Sequence, residues 1–168
     1  MTSTLYIVDG YNVLHMFFPA ADRDEIFARR DWLSEHLASF AATRDAQVLL
    51  VFDAHGRRRS ECTRLKGTNV EVCFAGGRFS ADTLIARRIA EQPADVAVVV
   101  VSADQEVQRT ASRAGVRRMT PRELGLELHV TAEGVDYSAQ ASRMPSTLED
   151  KVDPETLRKL EQLRTDPD

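Results

Sequence analysis

The chain is poor in cysteine, in long apolar runs and in excess positive charge. Only Cys62 and Cys73 occur among its 168 residues, so a disulfide framework is not expected and a reducing cytoplasm is favoured. We expect neither a membrane span nor a secretory signal, because no stretch of about 18 apolar residues occurs and no basic segment precedes an apolar run at the N-terminus. The net charge of −4 excludes a global positive field, so a nucleic-acid contact must use a local basic patch.

Several catalytic signatures are missing as well. There is no P-loop, and no Gly-x-Gly-x-x-Gly follows the first strand, so we expect no nucleotide cofactor. A Gly-x-Ser-x-Gly elbow is also absent, which argues against a serine hydrolase of that type. His55, Cys62 and Cys73 match no common zinc spacing and lack a fourth ligand, so they do not predict a zinc site.

The order of apolar patterns predicts an α/β fold. Helical patterns run from Asp22 to Thr43, from a Ser80 cap to Gln92, and from a Ser102/Gln105 capping box to Gly115. The order β-α-β-β-α-β-α-β is typical of a three-layer α/β/α sandwich with a mostly parallel sheet of about five strands. The predicted strands are Thr4–Val8, Ala46–Phe52, Val70–Phe74, Val96–Val101 and Val116–Met119.

The last third of the chain has weaker patterns. Leu126–Tyr137 is compatible with an edge strand or hairpin, and we place the end of the folded domain at residue 137. Residues 138–168 form a predicted C-terminal extension that carries a helix from Asp153 to Arg164, with Pro at its first position. The leucine stripe of that helix predicts either packing on the domain or docking on a protein partner.

Four aspartates occupy positions that favour a metal site. Asp9, Asp53 and Asp104 lie at or just after predicted strand ends, and Asp82 is the second residue of a helix. Helical spacing places Asp82 and Asp104 on the apolar faces of their helices, towards the core and not towards bulk solvent. Since clustered carboxylates need a positive partner, and hard cations prefer oxygen ligands, the pattern predicts Mg²⁺ or Mn²⁺. Singly, each acid is equally typical of a helix cap or a turn.

Four ordered segments resemble the NYN domain, a branch of the PIN-like nuclease superfamily, and in particular its YacP-like members. The segments are Val8-Asp9-Gly10-Tyr11-Asn12, Val51-Phe52-Asp53-Ala54-His55, Phe79-Ser80-Ala81-Asp82-Thr83-Leu84-Ile85 and Val101-Ser102-Ala103-Asp104-Gln105-Glu106-Val107-Gln108.

The resemblance implies a PIN-like fold and a metal-dependent endoribonuclease. It assigns Asp9, Asp82 and Asp104 as catalytic metal-binding acids, with Asn12 and Ser102 as supporting polar residues. Asp53 matches the pattern, and we predict it as a further metal ligand. The Gly-Gly-Arg-Phe-Ser approach to Asp82 departs from the more polar lead-in of many family members, which bears on substrate preference.

Basic residues cluster just after Asp53 and beside Asp82. Because guanidinium groups bind phosphate in a bidentate manner, we predict that these residues contact an RNA backbone. The alternative is a solvated loop whose charges serve solubility. The predicted RNA-binding residues are Arg57, Arg58, Arg59, Arg64, Lys66 and Arg78.

Two other functions stay open at this point. The first is a non-catalytic RNA-binding module on the same fold, which would keep the arginines and could lose an acid. The second is a metal-dependent phosphatase. That class usually needs a nucleophilic Asp followed two residues later by another acid, but position 11 here is Tyr.

Overall fold

A computed structural model describes residues 3–54, 56–112 and 115–129. Within these residues six strands form one sheet in the order β3-β4-β2-β1-β5-β6. All neighbouring strands are parallel except β3 and β4, which pair antiparallel. The strands are β1 (Thr4–Asp9), β2 (Gln47–Asp53), β3 (Glu61–Arg64), β4 (Val70–Ala75), β5 (Ala97–Val101) and β6 (Val116–Met119).

Helices cover both faces of the sheet, as the three-layer prediction requires. One core cluster joins the sheet to α1, α2, α3 and α6, and the other joins it to α4 and α5. Successive strand residues alternate between the clusters: Ile7 belongs to the second, and its neighbours Tyr6 and Val8 to the first. The helices are α1 (Gly10–Phe17), α2 (Arg23–Ala28), α3 (Arg30–Arg44), α4 (Ala81–Glu91), α5 (Gln105–Thr110) and α6 (Pro121–Glu127).

The sheet has one more strand than predicted. β3 lies between the predicted strands Ala46–Phe52 and Val70–Phe74, where no strand was predicted, and it pairs with β4 along the edge of the sheet. Its side chains are all exposed, so β3 has no buried apolar residue from which a strand could be predicted. The predicted mostly parallel α/β/α sandwich is confirmed, with six strands in place of about five.

Two helices were not predicted although their sequence signals are present. In α1 the buried residues Gly10, Val13, Leu14 and Phe17 have helical spacing. In α6 a Thr120 capping box and Pro121 at the start mark the first turn. The predicted strand from Leu126 is therefore wrong at its beginning, and its remainder lies outside the described residues.

The long predicted helix over 22–43 is divided at Arg29. The Arg29 amide donates to the carbonyls of both Glu25 and Ile26, at 3.1 Å each, which tightens the last turn of α2. The predicted helix start at Asp22 is confirmed, since Asp22 and Glu25 form a capping box with reciprocal hydrogen bonds of 2.9 and 2.8 Å.

Cys62 and Cys73 face each other across β3 and β4 and form a disulfide. This bond was not expected from the sequence, because Cys62 and Cys73 are brought opposite each other only by the pairing of β4 with the unpredicted strand β3. The cytoplasmic location stays a prediction. Among the residues that the structure describes, no helix has the length and apolar character needed to cross a bilayer.

The predicted boundary at residue 137, the extension 138–168 and its helix Asp153–Arg164 all lie outside the described residues. They stay predictions.

Candidate active site at the carboxyl edge of the sheet

Parallel strands bring three chain segments together at one edge. β1 ends at Asp9, β2 ends at Asp53, and Ser102 follows the end of β5. Val8 pairs with Val101, which places Asp9 level with Ser102. From β1 the chain continues to β2 on one side, and after β4 it returns to β5 on the other side of β1. The edge between β1 and β5 is thus a topological switch point, where ligands bind in open α/β sheets.

A buried serine joins two of the aspartates. Ser102 is 0% exposed, and its hydroxyl donates to Asp9 Oδ2 at 3.0 Å. The Ser102 hydroxyl oxygen also accepts the backbone N–H of Asp104 at 3.0 Å. Ser102 therefore holds Asp9 and the start of α5 in a defined relation.

This role of Ser102 corrects the predicted helix start. We expected Ser102 to cap the helix with Gln105, but the N-cap is Asp104, whose side chain accepts the N–H of Glu106 at 2.8 Å. The Ser102 hydroxyl donates to Asp9 and accepts the N–H of Asp104 instead of the N–H of Gln105. The helix therefore begins later than predicted. It also ends at Thr110, before Gly115.

Asn12 ties α1 to the same turn. Its Oδ1 accepts the backbone N–H of Ala103 at 2.7 Å. The Gln108 side-chain amide donates to the carbonyl of Ser102 from the other side. The turn between β5 and α5 is therefore fixed by side chains from two helices, and within the described residues the Nδ2 group of Asn12 has no hydrogen-bond partner.

Asp9 is the acid whose environment disfavours charge most. Burial raises the pKa of Asp9 to about 6, the Ser102 hydrogen bond opposes this rise, and the carboxylates of Asp82 and Asp104 add to it. Asp82 and Asp104 are thus close enough to Asp9 to act on its ionisation.

Asp82 is placed by a capped helix. Ser80 is the predicted N-cap of α4, and its hydroxyl accepts the N–H of Thr83 at 3.2 Å. Asp82 is half-buried, and burial raises its pKa, with further contributions from Asp104, Glu106 and Asp53. Asp104 is exposed, so the expectation that both carboxylates lean towards the core does not hold for it.

Asp53 and Glu106 form the outer part of the acidic group. Asp53 is half-buried at the end of β2 and acts on the pKa of Asp82, which puts it within electrostatic reach of the site. Glu106, in the first turn of α5, was not predicted. Its position two residues after Asp104 was the available signal, since the first turn of a helix presents both side chains near the strand edge.

The acids do not form a compact cluster of ligand atoms. Among the described residues, the one group of three or more His, Cys, Asp or Glu ligand atoms within 4.8 Å of one another is Cys62, Glu71 and Cys73. The carboxylates of Asp9, Asp82 and Asp104 therefore do not all lie within 4.8 Å of one another. The Cys62–Cys73 disulfide leaves no thiolate for a metal in the tighter group.

The predicted RNA-binding residues divide into two sets. Arg57 and Arg78 line a cavity of about 290 Å³ that also includes Asp53 and Ser80, so they lie beside the acids. Arg58 and Arg59 belong to the same turn as Arg57. Arg64 lies opposite Glu71, near the start of β4, in the register of the two strands, and Lys66 follows Arg64 in the chain. Both residues therefore lie towards the amino end of β4, away from the carboxyl edge that carries the acids.

Two glycines let the arginine turn pack closely on the approach to α4. A Cβ at Gly76 would lie 2.7 Å from Arg59 O, and one at Gly77 would lie 2.6 Å from Arg58 O. The Gly77 N–H donates to Arg57 O at 2.7 Å, and Gly77 has a φ of +71°. The Gly-Gly departure from the expected lead-in thus has a structural reason: it seats the arginine turn beside Asp82.

Comparison with solved structures first defines the class of fold. The chain is similar to the crystal structure of a mutant Rae1 (YacP) from Bacillus subtilis, with a TM-score of 0.61, 25% sequence identity, and coverage of 85% of this chain and 84% of that one. It is also similar to the crystal structure of Rae1 (YacP) from Bacillus subtilis, with a TM-score of 0.56, 22% identity, and coverage of 95% and 94%. The latter likeness concerns the fold alone. The fold is PIN-like.

The family follows from the sequence match. The YacP-like NYN domain matches residues 6–165, and the chain belongs to this family. It is a PIN-like nuclease family whose members usually use divalent metals, and membership supports ribonuclease activity at the level of the family. No curated protein matches the chain.

Proposed function

We propose that this protein is a metal-dependent endoribonuclease that hydrolyses RNA phosphodiester bonds, with Asp9, Asp82 and Asp104 as its catalytic metal-binding acids. The observation that carries the proposal is the environment of Asp9. Its pKa is raised to about 6 by burial and by two neighbouring carboxylates, although Ser102 donates to it. A folded chain that holds acids together against their repulsion has a site for a cation.

The donor set fits Mg²⁺ or Mn²⁺. It consists of carboxylate oxygens from four aspartates, with Asp53 as the outermost member. Because these oxygens do not all lie within 4.8 Å of one another, they suit an ion that keeps part of its water shell, as Mg²⁺ usually does. Such an ion, when bound, supplies charge stabilisation for a phosphodiester under attack and lowers the pKa of its water.

The supporting residues have separate tasks in this proposal. Ser102 orients Asp9 and the N-cap Asp104 through one hydroxyl. The Oδ1 atom of Asn12 accepts the backbone N–H of Ala103, so we propose that its Nδ2 group donates to a substrate phosphate or to a water. Arg57, Arg58, Arg59 and Arg78 are proposed to hold the RNA backbone. Arg64 and Lys66 would contact only RNA that extends over the β3 edge.

A cleavage assay on a circular RNA tests the proposal. Only an endonuclease can open a substrate without ends, so linear product in Mn²⁺ or Mg²⁺, and none in EDTA, is the expected result. Asp9→Asn, Asp82→Asn and Asp104→Asn should each lower the rate by about 100-fold or more, in the range found when a group that stabilises transition-state charge is removed. Asp95→Asn is the matched control, because Asp95 is exposed and precedes β5 at the opposite edge.

The same assay separates the alternatives. RNA binding without cleavage in any divalent metal would favour the non-catalytic RNA-binding module. Release of phosphate from small esters, with the circle left intact, would favour the phosphatase. Cleavage that survives all three carboxylate variants would refute the assignment of the site. A cytoplasmic location and a protein partner for the terminal helix are further parts of the proposal, tested by fractionation and by capture with and without residues 138–168.

A further inference from the structure

A second concave surface adjoins the acidic edge. Helices α1 and α2 and the ends of β2 and β4 enclose a cavity of about 650 Å³, within the range of small-ligand pockets. Asp53 belongs to both its lining and that of the smaller cavity beside Ser80. We call it the aromatic pocket, defined by Tyr11, Arg23, Phe27, Arg30, Arg57 and Phe74.

The aromatic rings of this pocket form a continuous layer. The Tyr11 ring lies 5.6 Å from Phe27 and 4.9 Å from Phe52, and Phe52 stacks on Phe74 at 5.6 Å. Phe52 is fully buried, whereas the other three rings are half-buried and keep a face towards the cavity. The buried Phe52 ring therefore supports Tyr11 and Phe74, and Tyr11 in turn contacts Phe27.

Arginines stand over these rings. The Arg30 guanidinium lies 5.2 Å from the centre of the Phe27 ring and 5.4 Å from that of Phe74. Arg23 lies over Phe27 at 5.2 Å, and Arg57 over Phe74 at 4.7 Å. Arg57 pairs with Glu61 at 2.6 Å, but Arg23 and Arg30 have no carboxylate partner within the described part of the chain.

Flat rings suit a nucleotide when guanidinium groups without a carboxylate partner among the described residues, here those of Arg23 and Arg30, stand beside them. The Arg30 Nε donates to the Phe27 carbonyl at 3.0 Å, which fixes its guanidinium over the ring. Bases stack on aromatic and guanidinium planes without regard to sequence, and guanidinium binds phosphate. Three arginines around one cavity are a local basic patch in a chain of net charge −4. A paired base reaches such a pocket only after unpairing and unstacking, which costs a few kcal/mol.

We propose that the aromatic pocket binds an unpaired nucleotide of single-stranded RNA, next to the phosphate that the acidic edge cleaves. This inference deepens the proposed ribonuclease function and rests on it for the identity of the substrate. It adds a specificity: RNA enters as a single strand on the β2–β4 side of Asp9. Tyr11, Phe27 and Phe74 provide the stacking surface, and Arg23 and Arg30 provide the phosphate contacts.

Fluorescence anisotropy on the full chain tests the proposal. All variants carry Asp9→Asn so that the labelled RNA stays intact, and each is titrated with a short oligoribonucleotide and with its duplex. Phe27→Leu keeps the apolar volume but removes the ring, and Arg30→Gln removes the charge. Each should weaken single-strand binding about 10-fold, and duplex binding less than about twofold. Arg44→Gln is the control, since Arg44 also lies over a ring, Phe40 at 4.9 Å, but in the last turn of α3, before β2 begins.

The outcomes separate this inference from the proposed function. Unchanged single-strand affinity in Phe27→Leu and Arg30→Gln overturns the pocket, even if the wild type cleaves RNA. Equal losses on single strand and duplex also overturn it. Selective losses without any cleavage by the wild type would support the pocket and refute the nuclease. If Phe27→Leu does not fold, Arg23→Gln and Arg30→Gln carry the test, because each changes only the end of a side chain at the pocket rim.

Discussion

Gly10 shows how a single residue beside Asp9 is constrained by a distant ring. A Cβ at Gly10 would lie 2.4 Å from the nearest ring carbon of Phe52, a fully buried side chain. Gly10→Ala should therefore lower the free energy of unfolding by about 1–3 kcal/mol, the usual cost of overpacking. Urea unfolding measures it.

A double variant makes this prediction specific. In Gly10→Ala with Phe52→Leu, the smaller side chain leaves room for the new methyl group, so the combined loss should be less than the sum of the single losses. Strict additivity would contradict a direct clash between the two positions.

The Asp9 carboxylate should lower the stability of the fold although the proposed activity requires it. Its folded-state pKa of about 6 lies above the unfolded value of 3.8, so the folded state binds more protons between these values and stability falls as pH rises through that window. Without metal, Asp9→Asn should raise the free energy of unfolding at pH 8 by roughly 3 kcal/mol at most. The gain should vanish about one pH unit or more below the unfolded value of 3.8, where the carboxyl is neutral in both states.

Thermal melts in EDTA at several pH values check this expectation. Asp95→Asn, at an exposed position, should show no such pH dependence. An equal stabilisation by Asp9→Asn at acidic and alkaline pH would point to a packing effect and not to the charge. In cleavage assays Asp9→Asn should be inactive at every pH.

At the scale of the element, the first turn of α5 has two functions that a pair of variants can separate. Asp104 is the N-cap, accepting the Glu106 N–H at 2.8 Å, and it is also one of the proposed metal-binding acids. Asn caps helices as well as Asp does, so Asp104→Asn should keep stability within a few tenths of a kcal/mol but lose cleavage.

Asp104→Ala provides the comparison. It should lose about 1 kcal/mol of stability in addition to activity, because the cap is removed with the charge. Chemical unfolding and the circular-RNA assay measure the two properties separately. Wild-type cleavage in Asp104→Asn would mean that Asp104 serves α5 only as a cap.

The predicted elements were those with strong local signals. Ser80 caps α4 as expected, and β5 occupies a run of β-branched residues buried between two helix layers. Strand β3 and the division at Arg29 were missed because neither has its own hydrophobic pattern. They depend on pairing with β4 and on backbone hydrogen bonds in the folded chain.

At the scale of the whole molecule, charge distribution predicts a salt dependence. The chain is acidic overall, so RNA affinity should come from the few arginines near the edge. For a single strand too short to reach Arg58, Arg59 and Arg78, and so held only by Arg23, Arg30 and Arg57, the logarithm of the binding constant should fall with log salt with a slope of about −2. Arg30→Gln should reduce its magnitude by about 0.7, and Arg44→Gln should not change it.

Anisotropy titrations across a series of salt concentrations provide the slope. A flat dependence would exclude phosphate contacts as a source of affinity. A slope much steeper than −2 that Arg30→Gln leaves unchanged would assign the contacts to basic residues elsewhere.

The sequence alone determined the class of elements, the α/β sandwich and the aspartates at the strand ends, because local periodicity, capping residues and abrupt strand ends act over a few neighbouring residues. The PIN-like character of the fold came from the resemblance of four segments to the NYN domain. Asp9 was predictable in this way, as were Asp82 and the strand end that carries Ser102. The tertiary structure decided which residues come into contact. Strand order set Ser102 beside Asp9, the Phe52 ring over Gly10, and Arg30 above Phe74. Such contacts join residues far apart in the chain, and their partners depend on the pairing of whole strands, which no local pattern specifies.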